Sequence, residues 1–173
     1  LDAYMAVRTR HEKQAGVDNR RTRLVLLAKN NTGYKNLMKL VSFSNLEGFY
    51  YKPRIDKELL EKYHEGLLCI SPSFSGEISQ ALKNKDQEKA AYLVDYYKKL
   101  FGPDTFYLEL THHPEIPNHN DLMTEIKNLA KKTETGLVAA HDVYYLDPED
   151  RMARNTLMSI QTGGNNDERS FDD

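Results

Sequence analysis

Four short apolar runs recur along this chain, at residues 24–28, 67–71, 105–110 and 137–140, roughly every 30 to 45 residues. An amphipathic helical pattern separates each run from the next. That rhythm restricts the fold more than any other feature. Successive parallel strands need a crossover of a dozen or more residues, and a helix supplies it. The expected class is therefore α/β, with parallel strands alternating with helices in one domain, as an open part of a barrel. The run Leu24-Val25-Leu26-Leu27-Ala28 is continuously apolar, as expected of a parallel strand covered on both faces.

Between the runs, residues 33–45 place Leu37, Leu40, Val41 and Ser44 at helical spacing. Asp56 is a plausible N-cap for a short helix. Helical stretches are expected at 76–83 and 87–101, and another at 120–132 with Leu122, Ile126, Leu129 and Ala130 on one face. A last helix starts near Pro148, and Gly163-Gly164 reads as its stop. Leu1-Asp2-Ala3-Tyr4-Met5-Ala6 reads as strand material, and the first residue is not methionine. A piece excised from a longer protein is expected on that ground.

Length fits this picture. The 173 residues suit one domain of roughly 150 and can bury a sizeable core. They fall short of the roughly 250 of a complete (β/α)8 barrel. No apolar run approaches the roughly 20 residues of a membrane span. The single cysteine, Cys69, excludes an internal disulfide and fits a reducing, cytoplasmic compartment. A net charge of −2 argues against coating nucleic acid through bulk positive potential.

One segment runs against that balance. Residues 7–23 carry Arg8, Arg10, Lys13, Arg20, Arg21 and Arg23 against only Glu12 and Asp18. They read as an exposed basic loop. Contact with nucleic-acid phosphates is one use for it, and a solvated connector is the plainer one.

In parallel α/β folds, ligands bind beyond the carboxyl ends of the strands. Those ends offer Ser71 and Ser73, then His112 and His113, then His141 and Asp142, with Asp2 in the first strand. Two carboxylates and several imidazoles on one face would hold a divalent metal for hydrolysis. Strand order rather than a local motif sets their spacing, so convergence stays open. His64 and His119 read as surface residues. Glycine-rich nucleotide loops and the GxSxG elbow are absent. Cys69, within a strand, reads as a small buried hydrophobe. The Tyr96-Tyr97 and Tyr144-Tyr145 pairs read as packing.

Several blocks carry a family resemblance. They are residues 24–30 with 33–42, residues 47–56, residues 65–68 running on to 75–78, Phe101-Gly102 with 107–110, Val138-Ala139 with Asp142-Val143, and 160–163. In this order they resemble the PHP (polymerase and histidinol phosphatase) domain of bacterial DNA polymerase III alpha subunits. Glu47-Gly48-Phe49-Tyr50-Tyr51-Lys52-Pro53-Arg54-Ile55-Asp56 is the most specific of them. The resemblance implies a distorted, TIM-like β/α barrel, of which residues 1–173 form the later part. The family's His-x-His and Asp-His-Gly motifs would precede Leu1. The polymerase core, with its catalytic aspartates and magnesium, would follow Asp173.

The resemblance also implies which positions correspond to metal ligands. Asp2 falls where the family has a glutamate, Arg23 where it has a histidine, Ser73 where it has a cysteine, and Tyr144 where it has a second histidine. Asp142 matches a retained aspartate. Arginine is permanently cationic and offers no lone pair, while serine and tyrosine are poor ligands for transition metals near neutral pH. The site therefore reads as degenerate, with Arg23 replacing the metal's charge and pairing with Asp2 or Asp142. A shifted site built on His141 and His112 is the alternative.

Three functions follow as expectations. The first is a non-catalytic module of a replicative polymerase, needing no cofactor in this segment. Its partners would be the rest of the polymerase chain, a proofreading exonuclease subunit and DNA. The second is a zinc- or manganese-dependent phosphoesterase or 3′–5′ proofreading nuclease. The third, a histidinol-phosphatase-type enzyme, is disfavoured by the polymerase-like blocks.

Overall fold

A computed structural model describes residues 1–141 and 143–162. Asp142 and residues 163–173 lie outside the described residues, and with them the helix stop read at Gly163-Gly164. The chain divides into two units, residues 1–140 and residues 141–173.

The first unit is a mixed α/β sheet with helices. In chain order it contains β1 (Asp2–Ala6), β2 (Arg21–Ala28), α1 (Asn31–Leu46), β3 (Arg54–Ile55) and α2 (Lys57–Tyr63). These are followed by β4 (Leu67–Ser71), α3 (Glu77–Lys83), α4 (Gln87–Phe101), β5 (Phe106–Leu110), α5 (His119–Thr133) and β6 (Gly136–Ala139). In the second unit a single 3-10 turn, Pro148–Asp150, leads into α6 (Arg151–Thr162). No helix among the described residues is long and apolar enough to cross a membrane.

Three helices start where a short polar side chain accepts a hydrogen bond from the first turn. Asn30 accepts from the Gly33 amide at 2.9 Å, Asp56 from Leu59 at 3.0 Å, and Asp86 from Lys89 at 3.0 Å. Each cap contributes about 1 kcal/mol. The cap at Asn30 also needs Gly33, because a β-carbon there would lie 1.9 Å from the Gly66 carbonyl oxygen. The chain can therefore turn from β2 into α1 directly against the turn that precedes β4.

The strands lie in the order β3-β1-β2-β4-β5-β6. β1 and β3 are parallel, as are β4, β5 and β6. β2 runs antiparallel to both of its neighbours, pairing Asp2 with Val25 on one side and Val25 with Ile70 on the other. Here the expectation of a parallel strand covered on both faces is corrected. The connection from β1 to β2, residues 7–20, contains no crossover helix, so the chain turns back beside the strand it has just left.

Coverage of β2 is one-sided as well. Leu24 and Leu26 are buried, while Leu27 is 46% exposed. The same division runs across the sheet. Ala3, Met5, Cys69, Phe106 and Leu108 point with Leu24 and Leu26 into a core completed by Leu40, Leu60, Ile78, Leu93, Val94 and Ile126 of the helices. Each large aliphatic or aromatic side chain buried there contributes about 1.5–3 kcal/mol. On the opposite face Val25, Ile70, Tyr107 and Val138 are only half-buried. Gly136 stands opposite Tyr107, whose ring lies 2.7 Å from where a β-carbon would be.

Candidate functional site

Ser73 follows the carboxyl end of β4 and is fully buried. Its amide and its hydroxyl both donate to Glu109 Oε1, at 3.1 and 3.0 Å, and the hydroxyl also lies 2.9 Å from Thr111 Oγ1. Glu109 is on β5 and Thr111 just beyond it, so the parallel pairing of β4 with β5 aligns all three. The serine oxygen is thus already engaged by two neighbours.

Arg23 lies on β2 beside this loop, its amide donating to the Ser75 carbonyl at 2.8 Å. Its guanidinium grips Asp2 in a bidentate pair, with Nε donating to Oδ1 at 3.0 Å and Nη2 to Oδ2. Arg23 is opposite Tyr4, and Asp2 opposite Val25, so the pair spans two neighbouring strands diagonally. Both side chains remain about two-fifths exposed, at 42% and 44%.

The histidines divide differently from the sequence expectation. His112 is exposed. His119, read as a surface residue, is 2% exposed. Its ring stacks on Phe74 at 5.0 Å and meets His113 edge-on at 5.6 Å. Nε2 donates to the Thr111 carbonyl at 3.0 Å, and Nδ1 has no hydrogen-bond partner among the described residues. The reason for the difference is tertiary. His119 opens α5, and that first turn packs down onto the loop after β4, a contact without any local sequence signal. His113 is also buried, with Nδ1 3.1 Å from Glu115.

His141 and Tyr144 are exposed residues of the second unit, where the Arg154 guanidinium lies 4.6 Å from the Tyr144 ring centroid. Asp142 lies outside the described residues. Among the described residues, no group of three or more His, Cys, Asp or Glu side chains is placed to hold a metal ion. The donor chemistry agrees with this. A guanidinium paired to a carboxylate and a serine hydroxyl bonded twice are poor material for a metal centre.

The basic segment also differs from an exposed loop. Arg8 pairs with the buried Asp18, Nε donating to Oδ1 at 3.0 Å, and with Glu12 at 3.0 Å. Arg10 is 7% exposed and donates to Glu47 at 2.7 Å, to both oxygens of Asp56 at 3.0 and 3.1 Å, and to Glu58 at 3.1 Å. Burial alone would lower its affinity for the proton, but Glu47, Glu58 and Asp56 outweigh that and raise its pKa. Arg21 lies over the Tyr4 ring at 5.0 Å and donates to the Asn19 carbonyl at 3.0 Å. Lys13 and Arg20 are exposed, as is Arg8 with its two carboxylate partners.

Arg54, which sequence reasoning did not single out, holds this loop down. It is fully buried and donates to four backbone carbonyls: Gly48 at 3.0 Å, Asp18 at 2.8 Å, Arg10 at 3.1 Å and Glu12 at 2.9 Å. Burial lowers its pKa, and the charges of Asp18 and Asp56 oppose that effect. The close approach also needs Gly48, whose β-carbon would sit 1.9 Å from the Arg54 carbonyl oxygen. The 47–56 block is therefore specific for a physical reason. Glu47, Gly48, Arg54 and Asp56 all serve one buried network that fastens residues 8–20 to the body.

Known proteins share much of this sequence. The sequence model of the PHP domain matches residues 1–113. The chain is 42% identical over 164 residues to the DNA polymerase III subunit alpha of Borreliella burgdorferi, covering 94% of this chain and 14% of that protein. It is 38% identical over 167 residues to the same subunit of Aquifex aeolicus, covering 93% of this chain and 14% of that protein. Against the Thermus aquaticus subunit the identity is 36% over 163 residues, again 93% of this chain and 13% of the relative. The chain thus spans about one-seventh of the length of the curated relatives it matches.

Proposed function

Because the chain belongs to the PHP domain family, we propose that residues 1–173 are part of the PHP domain of a replicative DNA polymerase, and act there as a structural and interaction module. One observation carries the proposal. At the positions where the resemblance implies metal ligands, Arg23 is committed to Asp2 and Ser73 to Glu109 and Thr111. A cation stands where a cation would bind, so the reading is of a degenerate metal site whose charge has been replaced from within.

The half-bare face of the sheet supports a wider barrel. Val25, Ile70 and Tyr107 form a transverse apolar row, with Val138 on the same face of β6, that a single layer of helices leaves uncovered. Further strands of the parent polypeptide would cover it and close the barrel. The rest of the polymerase chain is then the first partner. A proofreading exonuclease subunit and DNA remain partners of the same reading, with Lys13, Arg20 and Arg21 as the cations left to face phosphates.

Metal analysis of the full-length polymerase, purified without chelators, tests the proposal. The expected result is less than stoichiometric zinc or manganese attributable to this domain. One equivalent or more that disappears in an Asp142→Ala variant would overturn it in favour of a phosphoesterase or nuclease.

A further inference from the structure

We propose that the outer face of α1 is a docking surface for an acidic, amphipathic segment of the same polypeptide outside these 173 residues; this rests on the reading that the chain is part of a polymerase. The inner face of α1 is ordinary, with Gly33, Asn36, Leu40 and Ser44 buried. Its outer face is not. Tyr34, Met38 and Val41 follow one another at intervals of four and three residues, and are 59%, 47% and 41% exposed. A surface helix usually turns charged or polar side chains to water in such a row. Three large apolar ones at this spacing are the pattern by which one helix seats against another segment.

At its far end the row leads into a socket. Val41 and Asn45 line a cavity of about 200 Å³ with Leu1, Ala3, Ile55 and Asp2, the last already paired with Arg23. That space suits a single apolar side chain.

Charge selects the occupant. α1 contains no carboxylate, and Lys35 and Lys39 are exposed beside the row. No ion pair to either lysine appears among the described residues, although Lys39 Nζ lies 5.1 Å from the Tyr63 ring centroid. An acidic partner complements that surface. A second copy of the chain does not, because a two-fold pairing of α1 with itself would set these lysines against their own equivalents. A nucleic acid fits less well, because Tyr34 is the one ring in the row, and Met38 and Val41 beyond it offer no surface on which successive bases could stack. The relatives are about seven times longer than this chain. A segment tethered within the same polypeptide meets the surface at an effective concentration on the order of millimolar.

Hydroxyl-radical footprinting of the full-length polymerase, alone in solution, tests this. Met38 oxidation is read by mass spectrometry, with the 67% exposed Tyr92 and the buried Met123 as internal references. The expected result is slow oxidation of Met38, rising on the order of tenfold in the Lys35→Glu, Lys39→Glu double variant, as a tethered contact is released. Met123 should stay slow in both, which verifies the fold. Fast oxidation of Met38 in the unaltered polymerase would overturn the proposal. So would equal rates in the two proteins, protection that depends on polymerase concentration, or protection that appears only on adding DNA or another replication protein. None of these outcomes depends on metal content, so this proposal and the degenerate-site reading stand or fall separately.

Discussion

Arg54 and Arg23 are both arginines in polar networks, and burial separates their importance. Arg54 is fully buried and donates to four backbone carbonyls. Arg54→Met should lower stability by on the order of 3 kcal/mol, measured by urea denaturation, because four buried or part-buried carbonyls lose the charged donor they share. Arg54→Lys should recover little of this, since one ammonium cannot span four acceptors. Arg23→Ala should cost less than about 1 kcal/mol in the same assay, because water screens a pair in which both side chains are two-fifths exposed. Equal losses at the two positions would refute the argument. The N-cap role of Asp56 was legible in sequence, since it is a local rule about a short acceptor before a helix. The role of Arg54 was not, because its partners are 6 to 44 residues away.

Among the elements, the segment 8–20 departs furthest from what its composition suggests. Arg8 and Arg10 are matched by carboxylates, two within the loop and three on the body, so much of a basic stretch becomes ordered and internally neutralised. Asp18 shows how that order depends on pH. The hydrogen bond from Arg8 lowers its pKa; burial opposes this, while the Gln14 amide and the charges of Arg8 and Arg54 assist it. A folded pKa below the ordinary value stabilises the loop at every pH above about 3.9. That contribution is lost as the pH falls through the lowered folded value. An NMR titration of the Gln14 amide, which donates to Asp18 Oδ2 at 2.8 Å, should therefore have its midpoint below about 3.9. A midpoint at or above that value would show that Arg8 does not hold the carboxylate. β2 carries the complementary lesson. Its apolar residues announced a strand, but they did not announce its direction, which depends on the connection that returns the chain.

For the molecule as a whole, the two faces of the sheet should respond differently to context. Ile70→Ser should cost less than about 1 kcal/mol in the 173-residue chain, where that face is half-open. In the full-length polymerase the same change should cost about 3 kcal/mol, as burying a hydroxyl and losing a large side chain would. Thermal denaturation of both proteins measures the difference. An equal, small effect in each would show that nothing covers the face.

Sequence alone determined the α/β class, most of the alternation of strands and helices, and the helix start at Asp56. These depend on periodicity and on acceptors placed three residues before an amide, which are short-range properties. It also carried the family resemblance, and placed an arginine and a serine where that resemblance implies metal ligands. Only the tertiary structure decided that β2 is antiparallel, that the basic segment is fastened by a buried arginine, and that His119 lies inside rather than on the surface. For β2 the reason is a return connection without a helix, and the other two share another. Each of those two depends on groups distant in sequence sharing one low-dielectric interior, where a charge or a backbone carbonyl must find a partner wherever the chain supplies one.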